Sequence, residues 1–380
     1  MGTIRLLLAL SVVAAHTGPL FGSTLVGGRT AVETFFMISG FYMALVINEK
    51  YFVPGQALKR AYKVFIEARI FRLYPLYLLL LVLTIAVQAI LLHASRGTTF
   101  LPPALFYWRH SGAPLQTTSL LALAAANLLL VGQDWVMFSE ISVHGRLSFT
   151  PNFWSAALPS WHFLFLPQAW TLGLELAFYL FAPLLVRRKL PVLLAVALGS
   201  YGLKRVLGHY GLNGDPWSYR FFPSELQYFV LGAISYKGYR WLLDRNLFQV
   251  WWGWLGLACA VSSMLLFSHL HRPWEIDAYY LLMTVTIPLV FLLTKRVKLD
   301  RMIGELSYPV YMCHVLVLQT LSVYGHAGSL SVALATLVFS FVLLLGFDQP
   351  LERWRQRWIE RQERPSSRGT VPPVSLSVAP

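Results

Sequence analysis

Apolar stretches about twenty residues long, repeated along the whole chain, limit this sequence more than any other feature. A bilayer core about 30 Å thick is crossed by ~20 helical residues rising 1.5 Å each. Such blocks recur at roughly 3–22, 30–48, 73–93, 118–132, 170–186, 190–206, 223–236, 250–269, 277–294, 302–322 and 330–347. A backbone surrounded by lipid must satisfy its own hydrogen bonds, which selects helices here. The sequence therefore predicts an all-α fold, a polytopic transmembrane helical bundle of about 10–12 spans over residues 1–350. Residues 351–380 read as a basic, largely disordered cytoplasmic tail. Composition agrees: 56% of the residues are hydrophobic and 13% charged, where soluble domains carry about 25% charged. A soluble all-α protein with several buried helices is the disfavoured alternative.

The net charge of +14 raises the question of nucleic acid, and the positions of the charges answer it. Lys50, Lys59, Arg60, Lys63, Arg69 and Arg72 fill one loop and its helix edges. Arg187, Arg188 and Lys189 fill another, Lys237, Arg240 and Arg245 a third, and Lys295, Arg296, Lys298 and Arg301 a fourth. Arginines 353, 355, 357, 361, 364 and 368 follow in the tail. Cations gathered in short loops mark cytoplasmic segments, so both termini are expected inside and no nucleic acid partner is implied. The first apolar stretch has no A-x-A cleavage site and reads as a span rather than a signal peptide. Cys259 and Cys313 fall within expected spans, without metal-ligand spacing.

Alternating the spans against these loops exposes a conflict. With 49–72 and 187–189 both inside and 94–117 outside, an odd number of crossings must separate 94 from 187. Two blocks lie there, 118–132 and 170–186. The aromatic stretch 153–168, broken by Pro159 and Pro167, is expected to be a third crossing or a re-entrant segment. No internal repeat, Walker loop, HExxH or GxSxG is present, and no polar stretch is long enough for a second, soluble domain.

Ionisable residues within spans are costly to bury and point to function or to specific pairing. His16 lies toward the outer end of the first span, and can be a general base or a packed imidazole bonded to a neighbouring helix. Glu33 opens the second span; it can orient His16 across the hairpin, favour the helix N-terminus or pair with Arg29. Arg69 and Arg72, three residues apart, share a helix face and can clamp a phosphate or carboxylate, or anchor the span to anionic headgroups. Thr171 and Glu175 stack at i and i+4. Glu175 needs a base, a hydroxyl or an arginine as partner, the plainer alternative being a salt bridge that fixes packing. His314, in mid-span, is more ordinarily a helix–helix hydrogen bond than a catalyst.

Taken in order, these residues resemble the acyltransferase 3 family of bacterial membrane acyltransferases, which O-acylate sugars, polysaccharides and small metabolites. The resemblance covers roughly 1–347. It rests on His16 in the first span; on V-x-x-FF-x-x-SGF at Val32, Phe35, Phe36, Ser39, Gly40 and Phe41; and on R-x-x-R-x-x-P at Arg69, Arg72 and Pro75. W-[ST]-L-x-x-E with a following FY matches Trp170, Thr171, Leu172, Glu175, Phe178 and Tyr179, and SYP-x-Y-x-x-H runs from Ser307 to His314. Thr171 stands where Ser is common, and GGRTAVE replaces the more usual GxxGV-acid.

The resemblance implies a transmembrane acyltransferase domain at 1–350 in the bacterial inner membrane. It implies transfer of an acetyl or other short acyl group from acyl-CoA to a hydroxyl of a sugar, polysaccharide or glycosylated metabolite. By it, His16 is the general base, Glu33 orients it, and Glu175 is the second acidic catalytic position. Arg69 and Arg72, with Lys63, would hold the donor; Trp170, Thr171, Tyr74, Ser307 and His314 are substrate-binding or structural positions. A thioester donor needs no further activation, so no metal and no permanently bound cofactor is expected. The partners implied are acyl-CoA, a carbohydrate or glycoside acceptor and the bilayer, and a homo-oligomer is compatible with them. The rival readings are a transporter or flippase of a lipid-linked or small saccharide, since buried His and Glu also serve proton relays, and a non-catalytic scaffold. Against transport stands the lack of two matching, Gly/Pro-interrupted halves.

Overall fold

In the computed structural model, residues 1–52, 55, 57–94, 104–110, 114–269 and 274–363 are described, and the chain is overwhelmingly helical. α1 (Gly2–Thr17), α2 (Gly27–Val46) with a π-turn at Ile47–Tyr51, and α3 (Leu58–Ala94) come first. Three short helices follow, α4 (Ala104–Arg109), α5 (Thr117–Leu129) and α6 (Gln133–Val136), and then a small hairpin of β1 (Ser139–Ile141) and β2 (Leu147–Phe149). The remaining helices are α7 (Trp170–Leu185), α8 (Leu190–His209), α9 (Phe222–Asp244), α10 (Val250–Leu266), α11 (Glu275–Thr294), α12 (Lys298–Val323), α13 (Ser329–Leu343) and α14 (Gln349–Glu363). A second π-turn, Leu344–Asp348, joins α13 to α14.

Among the described residues, seven helices are long and apolar enough to cross a membrane: α2, α3, α7, α8, α11, α12 and α13, some extended by an adjoining turn. α1 and α10 are shorter apolar helices. α9 is more polar, and 11 of its 23 residues are buried among its neighbours.

Side-chain contacts fix the direction of each helix. Gly2 lies against Asp300 and Gly304, and His16 beside His314, so α1 and α12 run parallel. Tyr308 donates to the Leu73 carbonyl and Gln88 to Gln319, so α3 runs with them. The second set is joined by Glu33 to Tyr280, Ser39 to Glu175, Tyr236 to Glu49 and Ser235 to the Thr284 carbonyl, which align α2, α7, α9 and α11. α8 packs antiparallel to α9 through Lys204–Glu225 and the Gln227 amide on Ser200, α10 to α11 through Gly253–Leu293 and Gly256–Leu289, and α13 to α12 through Cys313–Ser340. The ten helices thus alternate in direction along the chain.

That alternation resolves the conflict between 94 and 187. The block at 118–132 is not a span: α5 has 13 residues and rises only about 20 Å. Its end is tied to α3 by hydrogen bonds from Tyr74 to the Leu129 carbonyl and from Tyr77 to that of Asn127. The chain then turns back, and the Leu147 amide bonds Ser119 near the start of α5 at 2.8 Å. The excursion therefore returns to the end it left. The stretch 153–168 does not cross either; it forms one-turn 3-10 pieces at Phe153–Ser155, Ser160–Phe163 and Pro167–Ala169. Asn127 satisfies this irregular backbone, donating to the Phe163 carbonyl at 3.0 Å and accepting from the Phe165 amide at 2.9 Å. The second half of the stretch is buried in protein at Phe163, Leu164, Leu166 and Gln168, as non-helical backbone at depth requires, whereas Trp154, Ser155 and Ala157 are exposed. Among the described residues, only α7 crosses between 94 and 187. Residues 95–103 and 111–113 of the same expected outer region lie outside the described residues.

The tail boundary also moves. Residues 351–363 are not disordered but helical in α14, which docks on α3 with Arg355 buried against the Ala68 carbonyl and Trp354 against Phe71. Residues 364–380 lie outside the described residues.

α2 and α9 meet backbone to backbone at two glycines. A Cβ on Gly40 would stand 1.9 Å from the Phe229 carbonyl oxygen, and one on Gly232 1.9 Å from that of Met37. Small residues are what allow helix backbones to touch like this. Gly40→Val or Gly232→Val should cost roughly 2–3 kcal/mol or more, read as a lowered Tm or lost monodispersity in detergent; an unchanged Tm would refute the contact.

Candidate active site

A line of polar side chains runs through the bundle from the end carrying Arg72 to the end carrying His16. At the latter end, His16 closes α1 and its Nδ1 contacts the Val12 carbonyl at 2.9 Å. A carbonyl only accepts, so Nδ1 carries the proton and Nε2 keeps its lone pair. The His16 ring is exposed, and it lies 5.0 Å, centroid to centroid, from the fully buried His314. His314 is held the same way, its Nδ1 donating to the Tyr311 carbonyl at 2.6 Å, and its buried Nε2 has no hydrogen-bond partner. Two imidazoles thus stand side by side, each bonded through Nδ1 to a carbonyl of its own helix.

One turn from His314, the Tyr311 hydroxyl donates to the Gln168 carbonyl at 2.9 Å and receives Thr171 at 3.0 Å. One turn on from Thr171, Glu175 accepts Ser39 at 2.5 Å and Tyr179 at 2.6 Å, both on Oε1. Beyond it Arg5 carries its charge among Tyr42, Arg72, Glu175 and Glu305. Arg5 and His16 are eleven residues apart, close to three helical turns, so they share one face of α1 about 16 Å apart.

Arg69 and Arg72 lie on α3 at the Arg5 end. Arg69 reaches over the Phe65 ring, with its buried Nε lacking a hydrogen-bond partner, and Arg72 pairs with Glu352 of α14 at 3.8 Å. Lys63, two turns away, is mostly exposed and pairs along the helix with Glu67 at 3.7 Å.

No hydrogen bond among the described residues joins Glu33 to His16. The Glu33 carboxylate takes Arg29 at 3.1 Å, Lys204 at 3.1 Å and the Tyr280 hydroxyl, and Lys204 also bonds Glu225 and Tyr228. A buried carboxylate seeks the nearest compensating cation, and Lys204 on α8 outcompetes the weak attraction of a neutral imidazole. Three other expected positions are structural anchors. Tyr74 ties down the end of α5, Ser307 bonds the Gly304 carbonyl within α12 at 2.7 Å, and Trp170 packs edge-on to Phe36 with Arg220 4.3 Å from its ring.

The family model for an acyltransferase domain, acyltransferase 3, matches residues 2–347. The chain belongs to the acyltransferase 3 family. It is a membrane acyltransferase, and neither a curated protein nor a solved structure matches it.

The fold explains why the motifs of this acyltransferase keep company. Ser39 and Glu175 come from two motifs far apart in sequence and meet in one hydrogen bond, while Gly40 beside Ser39 admits α9. Gly173 of the tryptophan motif leaves room for Asp134, whose Oδ1 would be 2.9 Å from a Cβ there. Burial pushes the Asp134 carboxyl up to about 6. Sequence reasoning missed Arg5, Tyr311, Gln168 and Lys204. The eleven-residue spacing from His16 was the available signal for Arg5, and the motif tyrosine three before His314 that for Tyr311. Nothing local marks Lys204, 171 residues from its partner Glu33.

If Glu33 serves the ion cluster, Glu33→Gln and Lys204→Met should each cost about 3–5 kcal/mol and be markedly less than additive together. Thermal unfolding in detergent measures this. A Glu33→Gln protein with unchanged Tm and abolished activity would restore the link to His16.

Proposed function

We propose that this protein is an inner-membrane O-acyltransferase moving an acetyl or other short acyl group from acyl-CoA to a hydroxyl of a sugar, polysaccharide or glycosylated metabolite. The observation that carries this reading is the polarity of the line along α1. Arginines gather at one end, where Arg5, Arg69 and Arg72 lie, and a basic imidazole nitrogen stands at the other. Cations concentrated in the loops at the Arg72 end support a cytoplasmic location for it, by the positive-inside rule, and the polyanionic donor belongs to that compartment. Both termini would then be cytoplasmic.

In this reading the guanidiniums of Arg69 and Arg72 hold the donor phosphates, and the pantetheine arm extends along the polar line toward His16. The acceptor hydroxyl gives its proton to His16 Nε2 as its oxygen attacks the thioester carbonyl. The tetrahedral intermediate collapses with cleavage of the C–S bond, and the imidazolium returns the proton to the leaving thiolate. The Nδ1–Val12 bond keeps the ring oriented through both transfers. Glu175 lies on the donor's path, where its carboxylate faces Arg5 and helps to place that cation. No metal takes part in these steps.

His16→Ala should lower kcat by 10²-fold or more, in line with the ~10²–10⁴-fold contribution of a general base, with the protein still folded. Acyl transfer from radiolabelled acetyl-CoA to a membrane glycan fraction measures it, and wild-type rates in His16→Ala would overturn the base assignment. Arg69→Ala/Arg72→Ala should instead raise the donor KM at least tenfold, each lost charged contact being worth about 1.5–3 kcal/mol; an unchanged KM would overturn the clamp.

A further inference from the structure

At the Arg72 end a cavity of about 200 Å³ opens between α3, α12 and α14, lined by Arg72, Arg301, Glu305, Asp348, Glu352 and Arg353, among others. α14 lies beyond the region that the family model matches, 2–347. Its charged side chains turn back onto α3. Glu352 reaches Arg72 at 3.8 Å and also takes Arg355, whose side chain is only 5% exposed. Arg355 donates to the Ala68 carbonyl at 3.2 Å, yet its Nε, like that of Arg69 on the adjoining turn of α3, is buried without a hydrogen-bond partner.

Burying a guanidinium with an unused donor is costly. Arg69 and Arg355 stand behind Arg72 and Glu352, which line the cavity, so that with Arg301 and Arg353 five guanidiniums meet three carboxylates, Glu305, Asp348 and Glu352. Glu352 satisfies Arg72 and Arg355 only in part, and its contact with Arg72 is a loose one. A phosphate offers three strong acceptor oxygens and more charge than one carboxylate. It would therefore engage both arginines better than Glu352 does.

We propose that α14 forms a wall of the donor site, with Arg355 a phosphate-binding residue and Glu352 the internal anion that a donor phosphate displaces. This rests on the acyl-CoA reading above and extends it to residues outside the family match. On donor entry, Arg72 and Arg355 exchange the Glu352 carboxylate for phosphate oxygens, and Glu352 turns to the solvent side of α14 beside Gln356, which it already accepts at 3.1 Å.

The test is binding of coenzyme A itself to the full-length protein in detergent, by calorimetry, with monodispersity and Tm confirming the fold of each variant. Removing the competing anion in Glu352→Gln should tighten binding by about three- to tenfold, the range of a partly exposed ion pair. Arg355→Gln should weaken it by a similar factor. Unchanged or weaker binding by Glu352→Gln, or unchanged binding by Arg355→Gln, overturns the proposal while leaving the donor reading intact. A wild-type protein that binds no coenzyme A overturns both. If Glu352→Gln does not fold, Arg355→Lys carries the test. It keeps the charge but loses the planar fork, and should bind coenzyme A more weakly; wild-type affinity would refute the role of Arg355.

Discussion

A single carboxylate, Asp300 at the start of α12, accepts the amides of Gly2 and Thr3 at 2.8 and 2.9 Å and the Thr3 hydroxyl at 2.9 Å. These are the amides that the first turn of any helix leaves without partners, at the positive end of its dipole. One residue on another helix thus supplies the cap that α1 lacks in its own sequence, and it sets the two helices parallel and in register. Gly2 and Gly304 let the backbones meet there. Register set at one end is carried along two rigid helices to the other, where it places His16 beside His314. The imidazole pair, the Arg5–His16 face and the polar line all depend on that seam.

The second organising constraint is the lipid solvent. A charged group within the bundle must find its partner inside the protein, and the structure sorts such groups into two kinds. Glu33, Glu225, Lys204 and Arg29 neutralise one another beside α8 and α9, where Glu225 Oε2 is buried without a hydrogen-bond partner. Along the polar line the groups are under-satisfied by comparison: His314 Nε2, Arg69 Nε and Gln168 Oε1 are buried without partners. Closed clusters hold a fold together, whereas open hydrogen-bonding capacity in low dielectric is what a ligand can use. Both oxygens of Glu33 are engaged, whereas hydrogen-bonding capacity stays open at the arginine and histidine ends.

Much of this was legible in the sequence because lipid imposes a simple rule on it. Ten of the eleven apolar blocks are bundle helices, and the basic loops at 187–189 and 295–301 anticipated the alternation of direction. The block at 118–132 misled because its Leu and Ala content matches that of a span; only hydrogen bonds from Tyr74 and Tyr77 reveal that it dips and returns. Arg69 and Arg72 were visible as a helical pair, but the helix covering them was not. Residues 351–363 are so rich in charge that they read as solvated, although Trp354 and Arg355 dock one face of α14. The partner of Glu33 was beyond reach in principle, since its distance in sequence carries no periodic signal.

The central claim is that donor and base occupy opposite ends of one polar line along α1. The most direct measurement is a cryo-electron microscopy structure with a non-hydrolysable acetyl-CoA analogue bound. The account predicts nucleotide phosphates beside Arg69, Arg72 and α14, with the acyl carbon next to His16 Nε2. Phosphate density at the His16 end, or an acyl group held far from that imidazole, would contradict it.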